Sequence, residues 1–206
     1  MKAHTKETQS TMTPEKAIQF LKEGNERFQN NLKANRNLLQ QVNETSDGQF
    51  PFAVILSCID SRVSAELVFD QGLGDIFSVR IAGNFINDDI LGSMEFGCKV
   101  AGSKLIVVLG HTSCGAVKGA CDKVELGKLT GMLNKIQPAV NSVKGDYADK
   151  SSANADFVQE VAVNNVKLTV DAITDRSEVL KEMVDNNEIK IVGAMYDVAS
   201  GKVDFM

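Results

Sequence analysis

Short apolar runs that alternate with helical segments constrain the fold of this chain most strongly. PFAVILSC (residues 51–58) and KLIVVLGH (104–111) are apolar almost throughout, as in strands buried on both faces of a sheet. IFSVRIAG (76–83) and EIKIVGAMYD (188–197) are weaker runs of the same kind. Strands that alternate with helices predict an α/β fold with a mostly parallel four-stranded sheet flanked by helices. GKVDFM (201–206) is expected to add an antiparallel edge strand.

The N-terminal residues predict a helical arm (1–35) on a single domain of residues 1–206. Thr13 can cap the arm's main helix and Pro14 suits its first turn, whereas residues 1–12 are expected to be loose. The large apolar residues of this helix are Ile18, Phe20, Leu21 and Phe28. A detached arm should not expose so much apolar surface, so we expect it to pack on a neighbouring copy of the chain.

The composition excludes several classes of protein. A net charge of −5 gives no basic surface for nucleic acid, and no apolar stretch is long enough to span a membrane. The four cysteines form no C-x-x-C pair, and a chain of 206 residues needs no disulfides. We therefore expect reduced thiols and a cytoplasmic protein, or a periplasmic one if a signal peptide has been removed.

Candidate metal ligands follow two of the predicted strands. Cys58 ends the first strand, His111 ends the third, and Cys114 comes three residues later. Carboxyl ends of parallel strands share one edge of the sheet, so these side chains converge if the two strands are neighbours. Two cysteines and one histidine form a catalytic zinc set that leaves a fourth position open. Each residue alone is more often a core or incidental one, so the prediction rests on all three together.

Asp60 and Arg62 follow Cys58 closely in the sequence. On an open surface this ion pair would contribute little. Beside a zinc ion, an unpaired carboxylate could occupy the open position, and the arginine fork could hold it away. Asp60 held in this way could accept a hydrogen bond from hydroxide on the metal.

These motifs together resemble the β-class carbonic anhydrases. The resemblance rests on C-x-D-x-R at 58–62, FDQGLGDIFSVRIAGN (69–84), GSMEFG (92–97) and VVLGHTSCGAV (107–117). It implies the strand order 2-1-3-4 with an antiparallel edge strand. It also implies one Zn²⁺ per chain on Cys58, His111 and Cys114, with Asp60 and Arg62 as the catalytic pair.

The resemblance further implies a substrate pocket that contains Gln49, Phe77, Phe96 and Gly115, with Phe96 at a position that is usually tyrosine. Family members build this pocket partly from a neighbouring subunit, which implies a homodimer or a dimer of dimers. The expected partners are carbon dioxide, bicarbonate and another copy of the chain, with no nucleic acid and no membrane.

Some family members bind inhibitory bicarbonate at a second site that uses a tryptophan, an arginine and a tyrosine. The corresponding positions here hold Ile55, Arg80 and Phe96, so we expect this second site to be absent. Arg80 is then expected to be a structural ion-pair partner. The remaining expectations concern helix-packing thiols at Cys98 and Cys121, tight turns at Gly72, Gly74 and Gly83, and a polar tail around His4.

The function implied is zinc-dependent, reversible hydration of carbon dioxide to bicarbonate and a proton, through attack of zinc-bound hydroxide. One alternative is hydrolysis of another heterocumulene such as carbon disulfide, which access to the pocket would decide. The other is a non-catalytic interaction protein stabilised by zinc. Asp60 and Arg62 argue against the second alternative, because a closed structural zinc site has no use for them.

Overall fold

A five-stranded sheet organises residues 2–206, the part of the chain that the computed structural model describes. The strands are β1 (Ala53–Ser57), β2 (Ile76–Arg80), β3 (Leu105–His111), β4 (Lys190–Tyr196) and β5 (Val203–Phe205). Their order in the sheet is β2-β1-β3-β4-β5. The first four strands are parallel, and β5 pairs with β4 in the antiparallel sense. The predicted fold class and strand order are therefore confirmed.

Helices cover both faces of this sheet. They are α1 (Lys6–Ser10), α2 (Pro14–Gln29), α3 (Leu38–Glu44), α4 (Ala65–Val68), α5 (Asp88–Glu95), α6 (Gly115–Cys121), α7 (Gly127–Leu133), α8 (Gln137–Asn141), α9 (Ala155–Arg176) and α10 (Glu178–Asp185). A π-helical turn, Phe96–Val100, continues α5. In the described part of the chain, no helix combines the length and apolar character needed to cross a membrane.

The two central strands are buried on both faces, as the apolar runs predict. Val54 and Leu56 of β1 face one core with residues of α5, α6, α9 and α10. Ile55, between them, faces a second core that includes residues of α2 and α4. This alternation follows from the period of two in a strand, and it holds β1 and β3 rigidly between two helical layers.

The first 12 residues differ from the prediction, since they contain the short helix α1. Thr5 caps α1 by accepting a hydrogen bond from the Thr8 N–H at 3.3 Å. The Gln9 side chain donates hydrogen bonds to the carbonyl oxygens of Pro51 and Ala101, both at 2.8 Å. Thr5 therefore caps α1, and Gln9 bridges the segments that precede β1 and β3, although their polar character predicts a loose tail.

His4 also departs from the predicted polar tail. Its half-buried ring packs edge-on against Phe52, with 5.2 Å between the ring centroids. Burial lowers the pKa of His4, and the nearby charge of Asp75 opposes that effect. The N-terminal segment therefore docks on the folded chain through apolar as well as polar contacts.

Helix α2 begins as predicted, with Thr13 accepting a hydrogen bond from the Lys16 N–H at 3.2 Å. Ala17 and Leu21 are fully buried in the core beneath the sheet of their own chain. The expected packing of this helix on a neighbouring chain therefore does not apply to these two residues. Gly24 permits the close approach, because a Cβ atom there would lie 1.8 Å from the carbonyl oxygen of Phe69.

Asp70 fixes the segment between α2 and α3 to the turn that follows α4. Its two carboxylate oxygens accept hydrogen bonds from Arg27 and Arg36, each at 2.6 Å. The Ala34 N–H donates to the same carboxylate at 3.1 Å. Asp70 and Arg36 are both buried, so this is an ion-pair cluster inside the protein.

Candidate active site

The register of the sheet brings the predicted metal ligands together. Ser57, the last residue of β1, pairs with Leu109 of β3. Cys58 follows Ser57 directly, and β3 continues for two more residues to His111. Cys114 then caps the N-terminus of α6 after a turn in which Ser113 has a positive φ of 57°.

Cys58, His111 and Cys114 form a compact buried group. One ligand atom from each residue lies within 4.8 Å of the others. All three side chains are shielded from solvent. Among the described residues, this is the group of histidine, cysteine and acidic side chains that could hold a metal ion.

The hydrogen bonds of His111 leave one ring nitrogen for a ligand. Nδ1 lies 2.9 Å from the carbonyl oxygen of Thr112, so Nδ1 carries the proton and donates it. Nε2 then has a lone pair, and it is buried without a hydrogen-bond partner. Buried polar atoms are rarely left in this state, and a cation beside Nε2 would satisfy it.

The thiols of Cys58 and Cys114 have pKa values shifted in opposite directions. A hydrogen bond from the Cys114 thiol lowers the pKa of Cys58 to about 4, although burial opposes this. The same hydrogen bond and burial raise the pKa of Cys114. The Gly83 N–H, 3.4 Å from the Cys58 sulfur, also favours the thiolate. Two sulfurs and one imidazole nitrogen are the donor set that zinc prefers, so the residues present fit this ion.

Asp60 and Arg62 form a two-pronged ion pair beside Cys58. Arg62 Nε donates to Oδ1 of Asp60 at 2.9 Å, and Arg62 Nη2 donates to Oδ2 at 2.8 Å. The Arg62 backbone N–H adds a third hydrogen bond at 3.0 Å. Hydrogen bonds from Arg62 hold the pKa of Asp60 well below its usual range. The carboxylate is thus ionised, and the guanidinium determines where it points.

Arg80 braces the loop that carries these residues. Its side chain donates to the carbonyl oxygen of Cys58 at 3.0 Å and to that of Asp60 at 2.8 Å. Arg80 is predicted to form an ion pair, but its side chain donates to two backbone carbonyl oxygens instead. Because Arg80 ends β2, it ties the neighbouring strand to the loop after β1.

The comparisons with known proteins agree with this geometry. Residues 53–203 match the family model described as carbonic anhydrase. Carbonic anhydrase 2 of Mycobacterium tuberculosis is 38% identical over 197 residues, which cover 92% of this chain and 91% of that protein. This chain belongs to the β-carbonic anhydrase family. Proteins of this family are zinc enzymes that hydrate carbon dioxide, and this chain is one of these enzymes.

Solved structures with the same fold include β-carbonic anhydrases from two fungi. CafA of Aspergillus fumigatus superposes with a TM-score of 0.70 and 27% identity, over 82% of this chain and 81% of that one. A β-carbonic anhydrase of Sordaria macrospora, from a pair described as tetrameric, gives a TM-score of 0.68 with 19% identity. That match covers 78% of this chain and 83% of the Sordaria chain.

The structure separates Gln49 from the cysteine–histidine group of the same chain, and it places Phe77 of β2 opposite Val54 of β1, four residues before Cys58. Gln49 is exposed and precedes β1, whereas Cys58 follows it, so a five-residue strand of roughly 16 Å lies between them. Phe77 and Phe96 lie near each other, with 6.2 Å between ring centroids, and Phe96 is 53% exposed. Gly115, the residue after Cys114, lies beside the group.

The other sequence expectations concern single residues. Cys98 and Cys121 are buried free thiols, as expected for helix packing. Ile55 is fully buried in β1 and offers no polar atom to an anion. Gly74 and Gly83 have φ angles of 83° and 81°, as their predicted turns require. Gly72 does not have a positive φ, but a Cβ atom added there would lie 2.5 Å from Oε1 of Gln41.

Two residues contact the group indirectly, namely Arg80, for which the sequence predicts a different kind of partner, and Asn165, which the sequence-based prediction does not include. Arg80 braces the Cys58 loop, and nothing in its local sequence indicates carbonyl partners. Asn165 of α9 donates a hydrogen bond to the Gly83 carbonyl oxygen at 2.8 Å. A signal for Asn165 was available, because it is an amide within the apolar stripe of a helix.

Proposed function

We propose that this carbonic anhydrase holds one zinc ion on Cys58, His111 and Cys114, and that Asp60 and Arg62 form its catalytic pair. The reaction is the reversible hydration of carbon dioxide to bicarbonate and a proton. The convergence of two sulfurs and an unpartnered imidazole nitrogen in a buried group carries this proposal. When bound, zinc acts as a Lewis acid that makes water nucleophilic near neutral pH.

The side chains of this chain have distinct roles in the proposed reaction. Thr112 fixes the His111 tautomer through its carbonyl oxygen, so that Nε2 points its lone pair into the group. Asp60 is ionised and accepts hydrogen bonds only, so it can orient a water molecule through one of that water's protons. Arg62 occupies the two carboxylate oxygens and keeps Asp60 in place.

The metal assignment is tested by two matched cysteine variants. Cys58→Ala and Cys98→Ala each remove one buried thiol, but only Cys58 belongs to the proposed ligand set. We expect Cys58→Ala to lose bound zinc and carbon dioxide hydration, whereas Cys98→Ala keeps both. Zinc content and stopped-flow hydration assays measure the two properties. Retention of zinc and activity in Cys58→Ala would refute the ligand set.

Arg62 is proposed to hold Asp60 away from the zinc ligands. In Arg62→Ala we expect Asp60 to turn toward the metal, so that activity falls while zinc stays bound. Arg62→Lys should recover part of the activity, because a lysine supplies charge without the fork. Arg176→Ala is the matched control, since Arg176 also pairs with a carboxylate at 2.7 Å and is similarly exposed. A crystal structure of Arg62→Ala with Asp60 unmoved, together with normal activity, would contradict this role.

We propose a homodimer or a dimer of dimers in which Gln49, Phe77 and Phe96 complete the substrate pocket of a neighbouring subunit. The support is the exposure of Gln49 and Phe96, together with the five-residue strand that separates Gln49 from Cys58 in its own chain. The tetrameric description of the Sordaria enzymes agrees with a dimer of dimers. Light scattering is expected to give an even number of chains, and a fully active monomer would refute the shared pocket.

Carbon disulfide serves as the competing substrate in the same assays. We expect the zinc-loaded protein to hydrate carbon dioxide and to leave carbon disulfide unchanged. Faster turnover of carbon disulfide would instead favour a hydrolase of that heterocumulene. We further propose a cytoplasmic location, or a periplasmic one after removal of a leader, and four free thiols support the former.

A further inference from the structure

Gly83 connects the long helix α9 to the sulfur of Cys58 through its N–H and its carbonyl group. Its N–H donates to Cys58 Sγ at 3.4 Å, and its carbonyl oxygen accepts a hydrogen bond from Asn165 Nδ2 at 2.8 Å. Two hydrogen bonds thus lead from a helix on one face of the sheet to a proposed metal ligand. We infer that Asn165 is a positioning residue, which holds the Gly83 N–H on the Cys58 sulfur. This inference rests on the proposed ligand set.

Gly83 is confined from several directions, so its orientation is set by its neighbours. Its φ of 81° is one that residues with a Cβ rarely adopt. A Cβ atom there would lie 2.4 Å from Cδ1 of Ile136 and 3.4 Å from Cβ of Ala116. Close packing around the α-carbon leaves rotation about the φ and ψ angles of Gly83, which join its N–H to its carbonyl group, as the remaining freedom. The hydrogen bond from Asn165 restrains that rotation.

Asn165 lies where packing alone would favour an apolar residue. It is 4% exposed, and the buried face of α9 around it consists mainly of Val161, Ala162, Val166 and Ile173. An amide in such surroundings is costly unless its polar atoms are bonded. Its donor is used on the Gly83 carbonyl, which lies on the opposite side of the same α-carbon from the N–H that faces Cys58. The amide therefore has a specific task at this position.

Hydrogen bonds to a ligating sulfur change how strongly that sulfur donates to a metal. Residues that orient metal ligands from outside the ligand set typically change metal affinity or activity by about 10–100-fold when they are replaced. Without the Asn165 amide, Gly83 can rotate about its φ and ψ angles, and the Cys58 sulfur loses the N–H donor. The sulfur then donates more charge to the metal, which moves the charge-transfer band, and it is held less well in place, which lowers the zinc affinity.

Two variants of Asn165 test this inference against a neighbour on the same helix face. Asn165→Leu removes the amide at similar volume, and Asn165→Asp keeps the shape but replaces the donor with an acceptor. Thr169→Val is the control, because Thr169 is buried one turn further along the same face. Zinc affinity is measured by competition with a chromophoric chelator. The sulfur-to-metal charge-transfer band is measured on the cobalt-substituted proteins.

For both Asn165 variants we expect zinc affinity to fall about 10-fold and the charge-transfer band to move to lower energy. Thr169→Val should change affinity less than about twofold and leave the band in place, since it does not contact the Gly83 peptide. An unchanged band and unchanged affinity in the Asn165 variants would overturn the inference. A lower melting temperature with an unchanged band would show a merely structural role and would also overturn it.

The Cys58→Ala variant separates this inference from the proposed function. If Cys58→Ala loses zinc while the Asn165 variants behave like wild type, only the positioning role fails. If Cys58→Ala retains zinc, the ligand set itself is wrong. If neither Asn165 variant folds under conditions where Thr169→Val folds, Asn165 is required for the fold and the positioning role is rejected.

Discussion

Replacement of Asp70 by asparagine tests how much the buried ion-pair cluster stabilises the fold. Asp70→Asn keeps the size of the side chain and the tolerance of asparagine for a positive φ, which is 44° at this residue. It removes the charge that accepts hydrogen bonds from Arg27 and Arg36, both at 2.6 Å. The shape is unchanged, but the charge is lost and one of the two acceptor oxygens becomes an N–H donor that faces an arginine N–H.

The expected loss of stability in Asp70→Asn follows from the burial of the ion pair. Asp70 is 6% exposed and the Arg36 side chain is 7% exposed, so Arg36 would keep its charge inside the protein without this carboxylate. Removal of one partner of a buried pair costs about 3–5 kcal/mol. We take about 3 kcal/mol, because the Arg27 side chain is partly exposed. At about 2–4 °C per kcal/mol for a chain of this size, the melting temperature should fall by about 6–12 °C.

Thermal unfolding by circular dichroism measures this change, and Asp88→Asn is the matched control. Asp88 pairs with Arg176 at 2.7 Å, almost the same distance, but its side chain is 95% exposed. Water and salt screen an exposed pair, so Asp88→Asn should leave the melting temperature unchanged within error. Equal losses in the two variants would refute the argument, since distance rather than burial would then decide the energy.

The difference between wild type and Asp70→Asn should also depend on pH. Burial acts to raise the pKa of Asp70, but hydrogen bonds from Arg27, Ala34 and Arg36 outweigh it and lower the pKa from 3.8. A carboxyl group with a lowered pKa stabilises the fold above its unfolded pKa, and this stabilisation is lost as pH falls through the folded pKa. The difference in stability between wild type and Asp70→Asn should therefore be constant above about pH 5 and should disappear in stronger acid.

Two further predictions concern the N-terminal segment and a buried thiol. Gln9→Ala should lower the free energy of unfolding by about 1–3 kcal/mol, because the Ala101 carbonyl oxygen loses the Gln9 donor and the Pro51 carbonyl oxygen keeps only the Ser103 hydroxyl, at 3.1 Å; unchanged urea unfolding would show that α1 does not stabilise the sheet. Cys98 should resist iodoacetamide at pH 8 in the folded protein, because burial raises its pKa to about 12. Rapid labelling of Cys98 in mass spectra, without unfolding, would contradict this.

The sheet and the ligand group could be predicted because their signals are local. Apolar runs identify buried strands, and Cys58, His111 and Cys114 follow the ends of two of them. The residues that support this group could not be assigned in the same way. Arg80 and Asn165 act on backbone carbonyls that lie 20 or more residues away in sequence. The amide of Asn165 stands out in the apolar stripe of α9, but the sequence does not indicate which carbonyl it bonds.

The N-terminal segment was mispredicted for a related physical reason. Its threonines and glutamines read as a solvated tail, yet Thr5 caps a helix and Gln9 bridges two loops. Polar side chains can be satisfied by water or by protein groups, and composition does not distinguish the two. The apolar residues of α2 predict a face that packs on a neighbouring chain, but Ala17 and Leu21 are buried within their own chain.

The central position of β1 affects the order of events during synthesis. β1 is the first strand to leave the ribosome, and both strands that pair with it come later in the chain. Cys58 emerges roughly 50 residues ahead of His111, which is about 3–10 s at translation rates of about 5–20 residues per second. For that interval the apolar AVILS strand has no sheet neighbour on its β3 side, and the Cys58 thiol has neither His111 nor Cys114 beside it. Nascent chains of this enzyme therefore pass through a period of several seconds in which oxidation and aggregation compete with folding.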